Sequence, residues 1–279
     1  MYLLETHRNC DSTSVKYENE IRDGVDQFWN SKGEKIQEKF WEDGKLNGLY
    51  KSWFDNEVIE EEIFYKNGLK DGLETKWYQS GKVFSKTNWV RGLKQGSSKV
   101  LHENGNVKYI VNYLNDVENG FIQAFDEIGK VYFEGKFLHG SENDTIKHYH
   151  PNGEIKKIAY FIDGELNGIY KVWDENGFLK ENLNFSNNKK NGTCIWYHSN
   201  GEKSHEINFK DGMWNGERKE WYENNQLKSN ENFIFDVKNG LCEIWHENGK
   251  LKTQAEYKNG EIIGLEKNWD SSGNEINSS

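Results

Sequence analysis

Gly168-Ile169-Tyr170-Lys171-Val172-Trp173-Asp174-Glu175-Asn176-Gly177-Phe178-Leu179-Lys180-Glu181-Asn182-Leu183-Asn184-Phe185-Ser186-Asn187-Asn188-Lys189-Lys190-Asn191-Gly192 is the stretch that decides the fold. Ile169 to Trp173 is rich in β-branched and aromatic residues, which suit a strand. Asp174-Glu175-Asn176-Gly177 reads as a tight turn, and Phe178 to Phe185 as the returning strand. Ser186 to Gly192 reads as a second loop leading onward. The unit is a β-hairpin. Its register has two readings. A two-residue Asn-Gly turn of type I′ pairs Trp173 with Lys180. A three-residue loop, Glu175-Asn176-Gly177, with glycine in a left-handed conformation pairs Trp173 with Leu179. The second places Trp173, Leu179, Leu183 and Phe185 on one face, and a one-residue slip would reverse every side chain. The apolar pattern favours the three-residue loop. It leaves Lys51, Lys99, Lys147, Lys171, Lys219 and Lys267 on the apolar face, where their stems would run along rings while the amines reach water.

Outward from this unit, the chain repeats it every 24 residues. Gly33, Gly81, Gly105, Gly129, Gly153, Gly177, Gly201, Gly249 and Gly273 share one phase, and the series from Gly24 to Gly264 shares a second. A third holds Gly44, Gly68, Gly92, Gly140, Gly164, Gly212 and Gly260, with Asp116, Asn188 and Asp236 in its gaps. All but one of the 27 glycines fall in these columns. Tyr17, Trp41, Tyr65, Trp89, Tyr113, Phe137, Phe161, Phe185, Phe209, Phe233 and Tyr257 form an aromatic column. Trp29, Trp53, Trp77, Trp173, Trp221, Trp245 and Trp269 belong to another. A fixed period of this size means a repeat array, in which each unit contacts its neighbours and no single pocket organises the chain. The expected fold is all-β: an elongated, single-layer antiparallel meander of stacked 24-residue β-hairpins. Residues 1–12 read as an N-terminal cap. Residues 13–279 read as one repeat domain of about eleven repeats, ending in a C-terminal half-repeat.

Composition agrees with a thin sheet. Hydrophobic residues are 34% of the chain, and aromatics are 14%. Large rings compensate for a small apolar count because each buries much area. The net charge of −10 lacks the basic footprint that nucleic acid and anionic membranes select, and it suits a basic protein partner. Cys10, Cys194 and Cys242 are odd in number and have no metal spacing. The last two lie two repeats apart, too far for a disulfide, so reduced thiols in the cytoplasm are expected. The N-terminal residues Met1 to Arg8 show no signal-peptide pattern, and no stretch reads as a transmembrane span.

Trp245-His246-Glu247-Asn248-Gly249-Lys250-Leu251-Lys252, followed by Tyr257-Lys258-Asn259-Gly260 and Gly264, resembles the bacterial variant of the MORN repeat. The resemblance spans about residues 13–279. It implies stacked hairpins forming a long curved sheet. It further implies an antitoxin or immunity partner of a toxin. Better-known MORN repeats are linked to membranes and phosphoinositides, a link that the acidic balance opposes.

The residues themselves point away from catalysis. His102, His150, His198 and His246 share one phase, but strand spacing keeps them too far apart for one ion. His148 and His150 share a strand face without a third ligand. Glu60-Glu61-Glu62 has no pocket to separate its pKa values, and no nucleophile motif is present. Expected catalytic residues, metal and cofactor are therefore none. The expected function is binding another protein, a basic toxin in the finer reading, with self-association as a scaffold or carbohydrate binding as the alternatives. Interface energetics favour Trp and Tyr anchors. Phe54, Tyr78 and Tyr222 each follow a residue of the Trp173 column, point the other way, and are the expected partner contacts on a face opposite the core.

Overall fold

The computed structural model describes residues 2–4, 12–18 and 21–276. Cys10 and most of the expected cap lie outside them. Two compact units make up the chain, Met1–Ser141 and Glu142–Ser279. Each is an antiparallel meander, and all regular structure among the described residues is strand. In the first unit, Gly48–Trp53 pairs with Ile59–Lys66, which pairs onward with Leu69–Lys70 and Gly72–Trp77. In the second, Glu165–Trp173 pairs with Leu179–Ser186, which pairs with Lys189–Lys190 and Gly192–Tyr197.

The hairpin turn is the three-residue loop. Gly177 donates its N–H to the Asp174 carbonyl at 3.0 Å, and Asp174 donates to Phe178 at 3.0 Å. Gly177 takes φ +83°, a left-handed value that glycine adopts at little cost. Trp173 pairs with Leu179 as expected. The face assignment beyond it is corrected. The ladder shifts between Val172 and Trp173, so Val172 opposes Glu181 while Trp173 opposes Leu179, and Lys180 is an extra residue. Such a bulge reverses alternation along one strand. Gly168, Tyr170 and Val172 therefore share a face with Leu183 and Phe185, and Trp173 and Leu179 lie on the other. The side chains agree: the column-mates of Leu179 and Trp173, Lys203 and Trp221, meet with the ammonium 5.8 Å from the ring centroid. Lys203 also bonds Glu206 at 2.6 Å. Glu206 pairs with Lys219. The lysine misfit disappears with this correction. Lys171 pairs with Asn182 and Lys51 bridges to Glu62 at 2.9 Å, both away from the buried face.

The second connection is tighter than a seven-residue loop. Ser186 pairs with Lys189 and Phe185 with Lys190, leaving Asn187 and Asn188 as a two-residue turn with φ of 49° and 64°. Both central residues at positive φ make a type I′ turn, which Asn, Asp and Gly favour. The Asn-Gly preference thus acts at this connection and not at the hairpin tip. At the start of the outgoing strand the backbone runs close to its neighbour. A Cβ on Gly48, at φ +138°, would stand 2.8 Å from Phe40 Cβ.

Burial is confined to one face. In the second unit Leu183, Cys194, Ile207 and Phe209 form a core cluster, flanked by Tyr170, Phe185, Trp196 and Trp214. In the first, Ile63, Ile122 and Ala124 are buried beside polar neighbours, and Thr87 and Ser98 share a buried hydroxyl hydrogen bond of 2.7 Å. Cys194 and Cys242 are free and buried. The opposite face carries lysines and half-exposed apolar residues such as Ile169 and Phe121.

Leu183→Ala should cost about 2–5 kcal/mol and Phe209→Ala about 3–5 kcal/mol, because both open a cavity in this layer. Lys156→Ala, on an exposed position, should stay within about 0.5 kcal/mol. Gly48→Ala should cost about 1–3 kcal/mol from backbone strain. Urea midpoints of the four variants check all of these.

Candidate binding surface

Three polar ladders join successive repeats within each unit, and they define where a surface can form. The first uses the residue after the Trp173 column. Tyr78 and Tyr222 donate their hydroxyls to the carbonyls of Leu101 and Trp245 at 2.7 and 2.9 Å. His102, His150, His198 and His246 donate Nε2–H to Phe125, Trp173, Trp221 and Trp269 at 2.9–3.0 Å. The histidine column is thus a structural stitch. Asp126, Asp174 and Asp270 in the same phase accept N–H groups of their own turns instead. The second ladder is asparagine: Asn56, Asn152, Asn200, Asn224 and Asn248 donate amides to carbonyls 23 residues on. The third runs through the type I′ turns, whose second N–H reaches back to the preceding repeat, as from Gly68 to Leu46 and Gly212 to Lys190. Asp116, Asn188 and Asp236, the gaps in that glycine column, add a bond each. Their side-chain oxygens accept the N–H of Lys94, Leu166 and Trp214 at 2.7 Å. Asn and Asp tolerate the left-handed turn and supply the acceptor that glycine lacks.

Phe54 sits in the first ladder but has no polar atom to donate. Beside it the surface opens into a groove of about 600 Å³, lined by Phe54, Glu60, Tyr78, Phe84 and Glu103, with Trp77 and Lys76 at its wall. Tyr78 and Phe84 meet edge to face, centroids 5.1 Å apart. Burial raises the Tyr78 phenol above its ordinary pKa, and the Glu103 carboxylate adds to the shift. Glu60 accepts from Ser52 Oγ at 3.0 Å, and both Glu60 and Glu103 are exposed. Behind them, Lys70 ties Glu61 and Glu74 together. Burial, then the hydrogen bond with Glu74, pushes the Glu61 carboxyl up. Lys76 reaches the same Glu61 at 4.0 Å.

The second unit carries a groove of about 410 Å³ between Trp196, Phe209 and Trp214. Its own Lys190 covers it, the ammonium 4.6 Å from the Trp196 centroid and 5.2 Å from that of Phe209. Nearby, Lys228 lies 5.7 Å from the Tyr222 ring centroid and bonds Glu220 at 2.6 Å. Burial pushes the Glu220 carboxyl up, but Lys228, His205 and Arg218 outweigh it and hold it below its ordinary value.

Of the three expected contacts, Phe54 and Tyr78 line one groove, while Tyr222 belongs to the other unit. All three are half-buried. They point away from the Trp173 column as expected, but the bulge places the buried layer on their own side. They rim the core face and do not lie opposite it. The expectation that Glu60-Glu61-Glu62 has no pocket is corrected, since Glu60 lines the groove and burial raises the pKa of Glu61. Phe84 and Glu103 went unnoticed in the sequence. Each occupies a fixed phase, yet nothing local says that residues from three successive hairpins converge.

The family described as MORN repeat variant matches residues 46–67, 70–90, 94–115, 145–163, 166–187, 190–211, 214–234 and 238–259, more than half of the chain. No match was found among curated proteins. Among solved structures, a crystal structure of TcdB2-TccC3 without its hypervariable C-terminal region aligns with 95% of this chain and 18% of that chain, at 12% identity and a TM-score of 0.19. A Photorhabdus luminescens Tc holotoxin pore carrying a TccC3 mutation aligns with 95% and 19%, at 11% identity and a TM-score of 0.17. This chain spans about a fifth of those chains, and likeness at these scores carries no argument.

Two measurements test the stitches. Tyr222→Phe should cost about 0.5–1.5 kcal/mol, and His150→Ala, which leaves the Trp173 carbonyl without its donor, about 1–3 kcal/mol. Glu220→Gln should lower the urea midpoint at neutral pH, by up to about 1 kcal/mol. A carboxylate with a depressed folded pKa stabilises above its unfolded pKa and loses that contribution as pH falls. The difference between wild type and Glu220→Gln should therefore shrink to nothing between about pH 5 and pH 3.

Proposed function

Because the chain belongs to the MORN repeat variant family, we propose that it is a non-catalytic, repeat-based module that binds another protein through the rim of its buried face. The observation that carries this reading is the aromatic groove in the first unit, where Phe54, Tyr78 and Phe84 present ring surface beside exposed carboxylates. Aromatic anchors in a concave site supply binding energy at low entropic cost. The polar ladders support it too, since they free side chains on this face from holding the fold alone. Tyr222, capped by Lys228, is the corresponding position of the second unit. We propose the finer reading, an antitoxin or immunity partner of a toxin, on the resemblance of the sequence to the bacterial repeat variant alone. The acidic charge of the chain favours a basic partner, whose approach it would accelerate. Among the described residues no helix is long and apolar enough to cross a membrane.

Wild type and the Phe54→Ala/Tyr78→Ala/Tyr222→Ala variant, each immobilised and exposed to the same native lysate, test the reading. A protein retained by wild type and lost from the folded variant is the expected result. Equal retention, with urea midpoints showing both chains folded, would remove this rim as the contact.

A further inference from the structure

The chain shows what it places on the rim when a cation is available. Lys228 lays its ammonium against Tyr222 and bonds Glu220. At a different phase, Lys190 covers Trp196 and Phe209 as Lys70 covers Trp89. In the Phe54–Tyr78 groove the phase of Lys228 is filled differently. Phe84 stands where Lys228 stands relative to its tyrosine, and Glu60 stands in the same place relative to Phe54. No ion pair engages Glu60 or Glu103 among the described residues, whereas nearby Lys76 is turned to Glu61 at 4.0 Å. The groove thus has the ring faces and the carboxylates of a cation seat, but no cation of its own over the rings.

A third element completes the seat. Where this ladder carries a tyrosine or histidine, that side chain donates to the carbonyl of the Trp173 column in the next repeat, whereas aspartates at the same phase do not. The carbonyl at that position after Phe54 belongs to Trp77, which lines the groove, and Phe54 cannot supply the bond. An incoming N–H donor can.

We infer that the Phe54–Tyr78 groove takes up a lysine or arginine side chain from an extended basic segment of a partner protein. The ammonium or guanidinium sits against the Tyr78 and Phe84 rings, between the Glu60 and Glu103 carboxylates, with the Trp77 carbonyl as a further acceptor. Cation–π attraction adds to the charge pairing, and the apolar stem of such a side chain covers Phe54. This inference rests on the protein-binding reading and names the chemistry that the same site selects.

Fluorescence anisotropy of a fluorescein-labelled hexalysine peptide, titrated with the full chain at low salt, tests it. Glu60→Gln/Glu103→Gln removes both carboxylates of the seat. Glu175→Gln/Glu223→Gln removes two exposed carboxylates of the other unit and changes net charge equally. The first pair should weaken binding about tenfold and the second less than about twofold, the sizes expected of a cation–π contact with two charge pairs against general screening. Phe84→Leu, which keeps the apolar volume and removes the ring, should weaken binding about threefold. Equal weakening by the two double variants, or none by either, overturns the inference. So does sedimentation velocity showing that Glu60→Gln/Glu103→Gln alters self-association while peptide binding stays unchanged, because a second copy then fills the groove. If the peptide is indifferent to these changes but the alanine variant still loses its captured protein, partner binding stands and the cationic chemistry is wrong.

Discussion

Side-chain hydrogen bonds from one repeat to the backbone of the next recur within each unit, and the rest of the architecture depends on them. A single sheet with few apolar residues cannot rely on a thick core. Its buried layer is aliphatic and small residues such as Leu183, Ala159 and Cys194 on one face, flanked by rings of the Phe185 column. The asparagine, tyrosine and histidine ladders add a second, polar bond between successive hairpins. Each is worth about 0.5–1.5 kcal/mol net, and each recurs with the period, so their sum grows with the number of repeats. They also fix register, because a side chain that reaches a carbonyl in the next repeat cannot do so after a one-residue slip.

The same logic explains why the glycine columns tolerate particular substitutions. At the type I′ turns, Asp116, Asn188 and Asp236 replace glycine at positive φ and repay the strain with a hydrogen bond to the preceding repeat. At Gly48 no such exchange is open, because a Cβ would meet Phe40. Glycine here answers two different demands, conformational freedom in the turns and close backbone approach at the strand entry.

The proposed binding surface lies where the tyrosine and histidine ladder lacks a donor. Phe54 breaks the donor series, and the groove opens beside it. In the second unit, Lys228 of the chain itself lies over the comparable ring of Tyr222. The difference between a filled rim and an open one comes from single residues at fixed phases, such as Lys228 against Phe84. That is how a repeat fold can vary its binding chemistry without altering its backbone.

The sequence by itself determined the period and the all-β hairpin repeat, because glycine and aromatic phases repeat the same local instruction many times. It left two readings of the turn, and the shared apolar face that favoured the three-residue loop is divided by the bulge. It also placed Phe54, Tyr78 and Tyr222 away from the Trp173 column. Only the tertiary structure decided which face is buried. The bulge at Val172–Trp173 reverses alternation within one strand, and strict period-two reading passes over that reversal. The long-range stitches were equally hidden. A histidine column reads as surface or metal ligand until the next repeat's carbonyl is seen 2.9 Å away. The convergence of Glu60, Phe84 and Glu103 on Phe54 and Tyr78 was hidden for the same reason. Local sequence sets each hairpin, but contacts between hairpins depend on how their backbones stack.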